Sequence, residues 1–129
     1  MDAGTALREL MTAIDEHRWD DLEQYLHPDF RCELVHTGES FSRADWIRFN
    51  ADYPDFDRLR VEELVAGETR AACRSHVTSR GGTGMLHFAC ASFAQMADGL
   101  ILQLTEVWTD LGQQPPHEDR AVRSVESRE

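Results

Sequence analysis

From residue 59 onward the chain alternates apolar and polar residues with a period of two, and this pattern constrains the fold more than any other. Glycine-containing turns interrupt it at Gly67, at the Gly-Gly-Thr-Gly run 81–84 and at Asp98-Gly99. Such turns join neighbouring antiparallel strands. The sequence therefore predicts four hairpin-linked strands, at 59–65, 69–79, 85–96 and 100–109.

Before this region, the apolar residues follow a helical period. Leu7, Leu10, Met11 and Ile14 recur at i, i+3, i+4 and i+7, which is typical of an amphipathic helix. We expect this helix over 5–17, with Thr5 or Asp2 as its N-cap.

A shorter helix is expected around 19–26, because Trp19, Leu22, Tyr25 and Leu26 continue the helical pattern. Pro28 disfavours helical geometry in the preceding residue and ends this segment.

A strand over 30–36 and a third helix over 43–53 complete the first half. Phe30, Cys32, Leu34 and His36 alternate with more polar residues, as in a strand with one buried face. Ser42 followed by Asp45 resembles a capping box, and it precedes a helical face formed by Trp46, Phe49 and Tyr53.

Helices followed by consecutive hairpins predict an α+β domain with helices packed on one face of the sheet. The segments 85–96 and 100–109 are apolar on both faces, so both faces need a cover. Helices can cover one face, and a second copy of the chain is the simplest cover for the other. We therefore expect a homodimer.

The chain has 129 residues, which favours one domain over 1–110 and a polar C-terminal tail over 111–129. Its net charge is −11 and it contains no lysine. The composition excludes Schiff-base chemistry, pyridoxal phosphate attachment and a phosphate-loop lysine. Because nucleic acids and anionic membranes are bound mainly through basic residues, we expect neither as a partner.

Cellular location and redox state follow from similar signals. No signal peptide or membrane-spanning run is recognisable, so we expect a cytoplasmic protein. Cys32, Cys73 and Cys90 are odd in number and lack CxxC spacing. We interpret them as reduced core residues.

The order of elements, together with "HRWDDLEQYLHPDF" and "FAQMADGLILQLTEVW", resembles the nuclear transport factor 2-like (cystatin-like) superfamily, and more narrowly its SnoaL-like polyketide cyclase branch. The resemblance covers about residues 5–110. It implies a cone-shaped barrel, in which a curved, mainly antiparallel sheet and three helices from the N-terminal half enclose a mostly apolar pocket. It also implies a dimer formed through the outer sheet face.

The chain departs from some members of this superfamily. The resemblance implies that the tyrosine and the two aspartates of the ketosteroid isomerases would fall near Leu10, Leu34 and Ala91 of this chain. The Arg-x-Asp pair and second carboxylate of the epoxide hydrolases are not found either.

Glu106 is the strongest candidate for a catalytic residue. It is the only charged residue inside the segment 100–109, and it lies on that segment's more apolar face with Leu102, Leu104 and Trp108. A carboxyl group on an apolar wall has a raised pKa and can exchange a proton near neutral pH. SnoaL-like cyclases keep an acidic residue on the equivalent strand as a general acid/base. The structural alternative is a glutamate paired with an arginine such as Arg74.

The resemblance also places His87 inside the pocket, as a second catalytic candidate with Ala89, Ala91 and Phe93 on the same face. The other predicted inward residues of the sheet are Phe30, Cys32, Leu34 and His36, then Ala71, Cys73, Ser75 and Val77. The candidate ligand-binding residues are His36, Trp46, Phe49, Tyr53, Cys73, Ser75, Phe93, Leu104 and Trp108. The histidines are not at metal-ligand spacing with any carboxylate, so neither a metal nor another cofactor is predicted.

These observations predict a small-molecule pocket protein. If it is an enzyme, we expect cofactor-free cyclisation or isomerisation of a ring-containing or polyketide-like ligand. The alternatives are non-catalytic binding or sequestration of an apolar metabolite, and a structural dimer whose cavity two tryptophans close. A carboxyl group within hydrogen-bond reach of His36 or His87 favours chemistry, whereas a lone carboxyl group favours binding.

Overall fold

A computed structural model of the chain describes residues 1–115. Most of the predicted tail, 111–129, lies outside this range. The helical elements are α1, a short 3-10 helix and α2, at Ala3–Asp15, Trp19–Tyr25 and Arg43–Ala51. The strands β1 to β6 are Leu26–Leu34, Glu39–Ser42, Phe56–Ala66, Arg70–Gly81, Gly84–Ala97 and Leu100–Asp110.

The six strands form one sheet in the order β2-β1-β6-β5-β4-β3. All neighbours are antiparallel except β1 and β6, which are parallel. The sheet is a curved, open layer with β2 and β3 at its edges. The predicted α+β class, the three helices and the four hairpin-linked strands are confirmed, and the barrel is not closed.

The helices begin where their capping residues predict. The Asp2 side chain accepts a hydrogen bond of 2.9 Å from the backbone N–H of Thr5, so α1 starts two residues before the predicted position. It ends at Asp15, because His17 has a φ of 58° and turns the chain away. In the same way, the Ser42 side chain accepts from the backbone N–H of Asp45 at the start of α2.

Strand β2 is the one element that the hydrophobic pattern does not predict. It has four residues, all exposed or half-buried, and it pairs only with β1. A short edge strand of this kind buries no apolar face, so it leaves no periodic signal.

The inward face of β5 differs from the prediction. Ser92 lies opposite both Cys73 of β4 and Glu106 of β6, whose side chains point into the core. Directly opposed residues share a sheet face, so the inward residues are Phe88, Cys90, Ser92 and Ala94. The prediction that His87, Ala89, Ala91 and Phe93 face inward is wrong, and Phe93 is 51% exposed on the outer face.

A smaller correction concerns the start of β6. Gln95 pairs with Gln103 and Met96 pairs with Ile101, which leaves Leu102 as an extra residue in a bulge. A bulge shifts the alternation by one residue. Ile101 is therefore fully buried and Leu102 is half-buried, whereas Leu104 and Glu106 point inward as predicted.

Candidate functional site

The candidate site centres on Glu106, in the inner layer between the sheet and α2. Its side chain is only 5% exposed. The ladder between β5 and β6 places it opposite Ser92, and the parallel pairing with β1 places it opposite Leu34. The strands therefore hold a carboxyl group inside an otherwise apolar core.

Three neutral groups contact the Glu106 carboxyl group. Ser92 Oγ donates a hydrogen bond of 3.0 Å to Oε2, and Cys90 Sγ lies 3.7 Å from the same oxygen. Cys32 Sγ approaches Oε1 at 4.0 Å. A thiol is a weak donor, so Oε2 is the better-bonded oxygen and Oε1 has only one weak contact.

No arginine neutralises Glu106 within the described part of the chain. Arg74, the partner considered from the sequence, instead contacts Glu62 at 2.6 Å and Glu63 at 3.8 Å. Burial raises the pKa of Glu106 above its ordinary value, and the hydrogen bond from Ser92 offsets this only in part. A neutral carboxylic acid is thus favoured over a wider pH range than in water.

Two indole groups lie beside this carboxyl group. Trp108 and Trp46 both act in favour of the charged form of Glu106, and so weaken the effect of burial on its pKa. Trp46 is nevertheless buried with no hydrogen-bond partner for its Nε1 atom among residues 1–115, so its influence on Glu106 falls short of a hydrogen bond.

A cleft of about 250 Å³ opens at the end of β6. Its lining is made of Leu34, His36, Phe49, Tyr53, Phe88 and Trp108, together with the polar residues Thr37, Glu39, Thr109 and Asp110. Beneath it lies a cavity of about 20 Å³, which Phe49, Tyr53 and Trp108 also line. Glu106 lines neither space, whereas Trp108, two residues further along the same face, lines both.

The structure brings together only part of the predicted site. His36 lies at the cleft, where its Nδ1 accepts a hydrogen bond of 3.3 Å from the backbone N–H of Trp108. His87 and Phe93 lie on the outer face, because the register of β5 directs them away from Glu106. Neither His36 nor His87 hydrogen-bonds to Glu106.

Several predicted ligand-binding residues are core residues. Trp46, Cys73, Ser75 and Leu104 are all buried, and none lines the cleft. Cys73 Sγ lies 3.8 Å from Ser75 Oγ. The cleft therefore retains His36, Phe49, Tyr53 and Trp108 from the predicted set.

Sequence reasoning missed the groups that contact Glu106. Ser92 was not among the predicted site residues, and Cys32 and Cys90 were interpreted only as core residues. The signal that identifies them is the pairing register across β5 and β6, since Ser92 lies directly opposite Glu106. Sequence alternation alone does not fix this register when both faces of a strand are apolar.

Comparisons with known proteins agree with this architecture. The family model described as the SnoaL-like domain matches residues 7–104. No curated protein matches the chain. Within the described residues, the helices are too short or too polar to cross a membrane.

Solved structures share the fold. A protein from Kribbella flavida DSM 17836, provisionally described as a ketosteroid isomerase, is 28% identical with a TM-score of 0.77, and the match covers 91% of this chain and 84% of that one. A nuclear transport factor 2-like protein of unknown function from Burkholderia xenovorans LB400 is 15% identical with a TM-score of 0.74, over 90% and 89% of the two chains. An LEH-like epoxide hydrolase from M. tuberculosis is 12% identical with a TM-score of 0.69, over 82% and 81%.

The family model covers well over half of the chain, and it agrees with the observed order of helices and strands. The chain therefore belongs to the SnoaL-like domain family, within the nuclear transport factor 2-like superfamily.

Proposed function

We propose that this protein binds a small, mostly apolar, ring-containing molecule in the cleft at the end of β6. The observation that carries this proposal is the lining of the cleft: Phe49, Tyr53 and Trp108 supply aromatic surface. His36 and the exposed Glu39 and Asp110 add polar groups to the same cleft. Ligand pockets typically combine apolar walls with a few polar groups that orient the ligand. The volume of about 250 Å³ fits a molecule of one or two rings.

Glu106 supplies the polar end of the proposed site. Because Ser92 and Cys90 both contact Oε2, a protonated carboxyl group has Oε1 left to donate a hydrogen bond to a ligand oxygen. Glu106 does not line the cleft and Trp108 does, so we propose that the indole moves when this contact forms. The preferred ligand is therefore one with a carbonyl or enol oxygen at one end of an apolar body.

Acid/base chemistry at Glu106 is the second candidate function. It is favoured by the raised pKa of Glu106, which suits proton exchange with an enol or enolate near neutral pH. Cyclisation or isomerisation of a polyketide-like ligand is a reaction of this type, and it needs no cofactor. Binding remains the first choice, because neither His36 nor His87 hydrogen-bonds to Glu106.

The outer sheet face supports the expected homodimer. A groove of about 510 Å³ runs across it, lined in part by Val65, Ala72 and Phe93. Phe93 and Val107 are exposed at diagonal positions of the adjacent strands β5 and β6. Exposed apolar patches of this kind mark interfaces. Sedimentation of the wild type at micromolar concentration should give twice 14.7 kDa, whereas Phe93→Glu should give a single chain.

A cytoplasmic location is part of the same proposal. The three cysteines are all free and buried, which is typical of proteins in reducing compartments.

The binding proposal is tested with 2-acetylnaphthalene, a flat bicyclic ketone, by isothermal titration calorimetry. Naphthalene is the matched probe without the oxygen. We expect the ketone to bind more tightly than naphthalene, and Phe49→Ser to weaken the binding of both. Phe93→Ser, on the outer face, is the control and should leave binding unchanged. Binding that depends on Phe93 but not on Phe49 would overturn the proposed site.

A further inference from the structure

The outer face of the sheet carries two histidines whose rings face each other. His76 Nε2 and His87 Nδ1 are 2.8 Å apart, with ring centroids separated by 5.1 Å and ring planes inclined by 70°. His76 lies on β4 and His87 on β5. Because His87 pairs with Thr78, the two rings are diagonal neighbours across the strands.

Nothing in the cleft on the inner face explains this pair. Within residues 1–115, neither ring makes another side-chain hydrogen bond, and both point away from Glu106. The rings lie in a groove of about 450 Å³ on the outer face, which Asp57, Arg60 and Thr78 also line. A single hydrogen bond on an exposed surface contributes little to stability, so packing gives no reason for the pairing.

Two imidazole nitrogens that converge on one point form a ligand pair for a transition metal. Zinc binds imidazole nitrogens at 2.0–2.1 Å, so two nitrogens at a tetrahedral zinc lie about 3.3 Å apart. The rings therefore need to separate by only about 0.5 Å from their present distance. Since His87 is exposed and His76 is half-buried, small side-chain rotations can supply this change.

We propose that His76 and His87 form a two-imidazole site for a divalent late transition-metal ion of the Zn²⁺, Ni²⁺ or Cu²⁺ type. Among the described residues, no group of three or more histidines, cysteines and carboxylates comes together. Water molecules therefore fill the remaining coordination positions.

The charged side chains around the two rings are mostly paired with one another. Arg58 is paired with Asp15 at 2.7 Å, and Glu62 is paired with Arg74 at 2.6 Å. Asp57, which also lines the groove, contacts Arg80 at 3.8 Å. Arg60 adds a positive charge to the lining, so charge does not attract a cation to the groove, and selection depends on the two nitrogens. Mg²⁺ and Ca²⁺, which prefer oxygen ligands, should not bind.

The test is calorimetric titration of the full chain with ZnCl₂ at about pH 7.5, where ordinary histidines are neutral. We expect one ion per chain, and no binding of MgCl₂. His76→Gln and His87→Gln should each weaken Zn²⁺ binding by about tenfold or more, because each variant leaves a single imidazole. His36→Gln, on the other side of the sheet, is the matched control and should bind Zn²⁺ like the wild type.

Long-range ¹H–¹⁵N spectra of the histidine rings give a second readout. Zn²⁺ should shift Nε2 of His76 and Nδ1 of His87, and leave the His36 ring unchanged. The proposal is overturned if Zn²⁺ does not bind, if His87→Gln binds it as the wild type does, or if a control variant abolishes binding. Circular dichroism verifies that each variant is folded.

Discussion

Replacement of Glu106 by glutamine should change how the free energy of unfolding depends on pH. Burial raises the pKa of Glu106 in the folded protein above that in the unfolded chain. An acid with a raised folded pKa holds its proton more tightly in the native state. Ionisation therefore costs stability as pH rises from the unfolded pKa, about 4.3, toward the folded one, and the loss is constant above that. Glutamine has no such cost.

The change in stability with pH follows from the burial of the Glu106 side chain, which is only 5% exposed. Every tenfold increase in proton affinity on folding removes about 1.4 kcal/mol of stability at pH values above the folded pKa. The glutamine amide also leaves a buried N–H group without a partner, which costs about 1–3 kcal/mol at every pH. The change with pH is therefore the informative quantity, rather than the difference at one pH.

Urea unfolding of both proteins at about pH 4 and about pH 7 measures this change. We expect Glu106→Gln to gain stability relative to the wild type as pH rises. Asp15→Asn provides a control of opposite sign, because Arg58 lowers the pKa of Asp15 through two hydrogen bonds of 2.7 and 3.0 Å. The Asp15 contribution is present above its unfolded pKa, about 3.9, and is lost as pH falls through its lower folded pKa. Asp15→Asn should therefore lose ground as pH rises in melts below about pH 4, and should change little between about pH 4 and about pH 7. If Glu106→Gln also loses ground, Glu106 is stabilised as a carboxylate and our assignment is wrong.

Ser92→Ala removes the 3.0 Å hydrogen bond to Oε2, which favours the charged form of Glu106. The substitution should lower the free energy of unfolding by about 1–3 kcal/mol, and urea melts should show a larger loss at about pH 7 than at pH 4. Burial raises the pKa of Cys32, Cys73 and Cys90. Ellman's reagent should therefore react with no thiol of the native protein and with three thiols after unfolding. Fast reaction of a thiol in the native protein would contradict the burial of these cysteines. Gly4→Ala would place a Cβ atom 2.8 Å from Ala66 Cβ, where α1 contacts β3. Thermal melts should show a lower melting temperature despite the better helix propensity of alanine. An unchanged or higher melting temperature would rule out this close contact.

The elements of the fold could be predicted because each leaves a local signal. Leu7, Leu10, Met11 and Ile14 share one helical face, and all four are buried. Strand β2 left no signal, because it has four residues and buries no apolar face.

The site was only partly predictable. The position of Glu106 on the inner face follows from alternation along its own strand, since the bulge at Leu102 comes before it. Alternation along β5 does not show which of its faces points inward, because Phe88 and Cys90 on one face and Ala89 and Ala91 on the other are all apolar. Only pairing with β4 and β6 decides between them. His87 was assigned to the wrong face and Ser92 was missed for this single reason.

The cleft at the end of β6 is proposed to bind a small apolar molecule that carries an oxygen. The ¹H–¹⁵N resonances of the three indoles during titration with 2-acetylnaphthalene test this claim most directly. Within residues 1–115, Trp108 is the one tryptophan that lines the cleft, so its resonance should move most and should saturate with the probe. If the Trp108 resonance stays unchanged while backbone amides around Phe93 on the outer face move, the molecule binds elsewhere and the claim is contradicted.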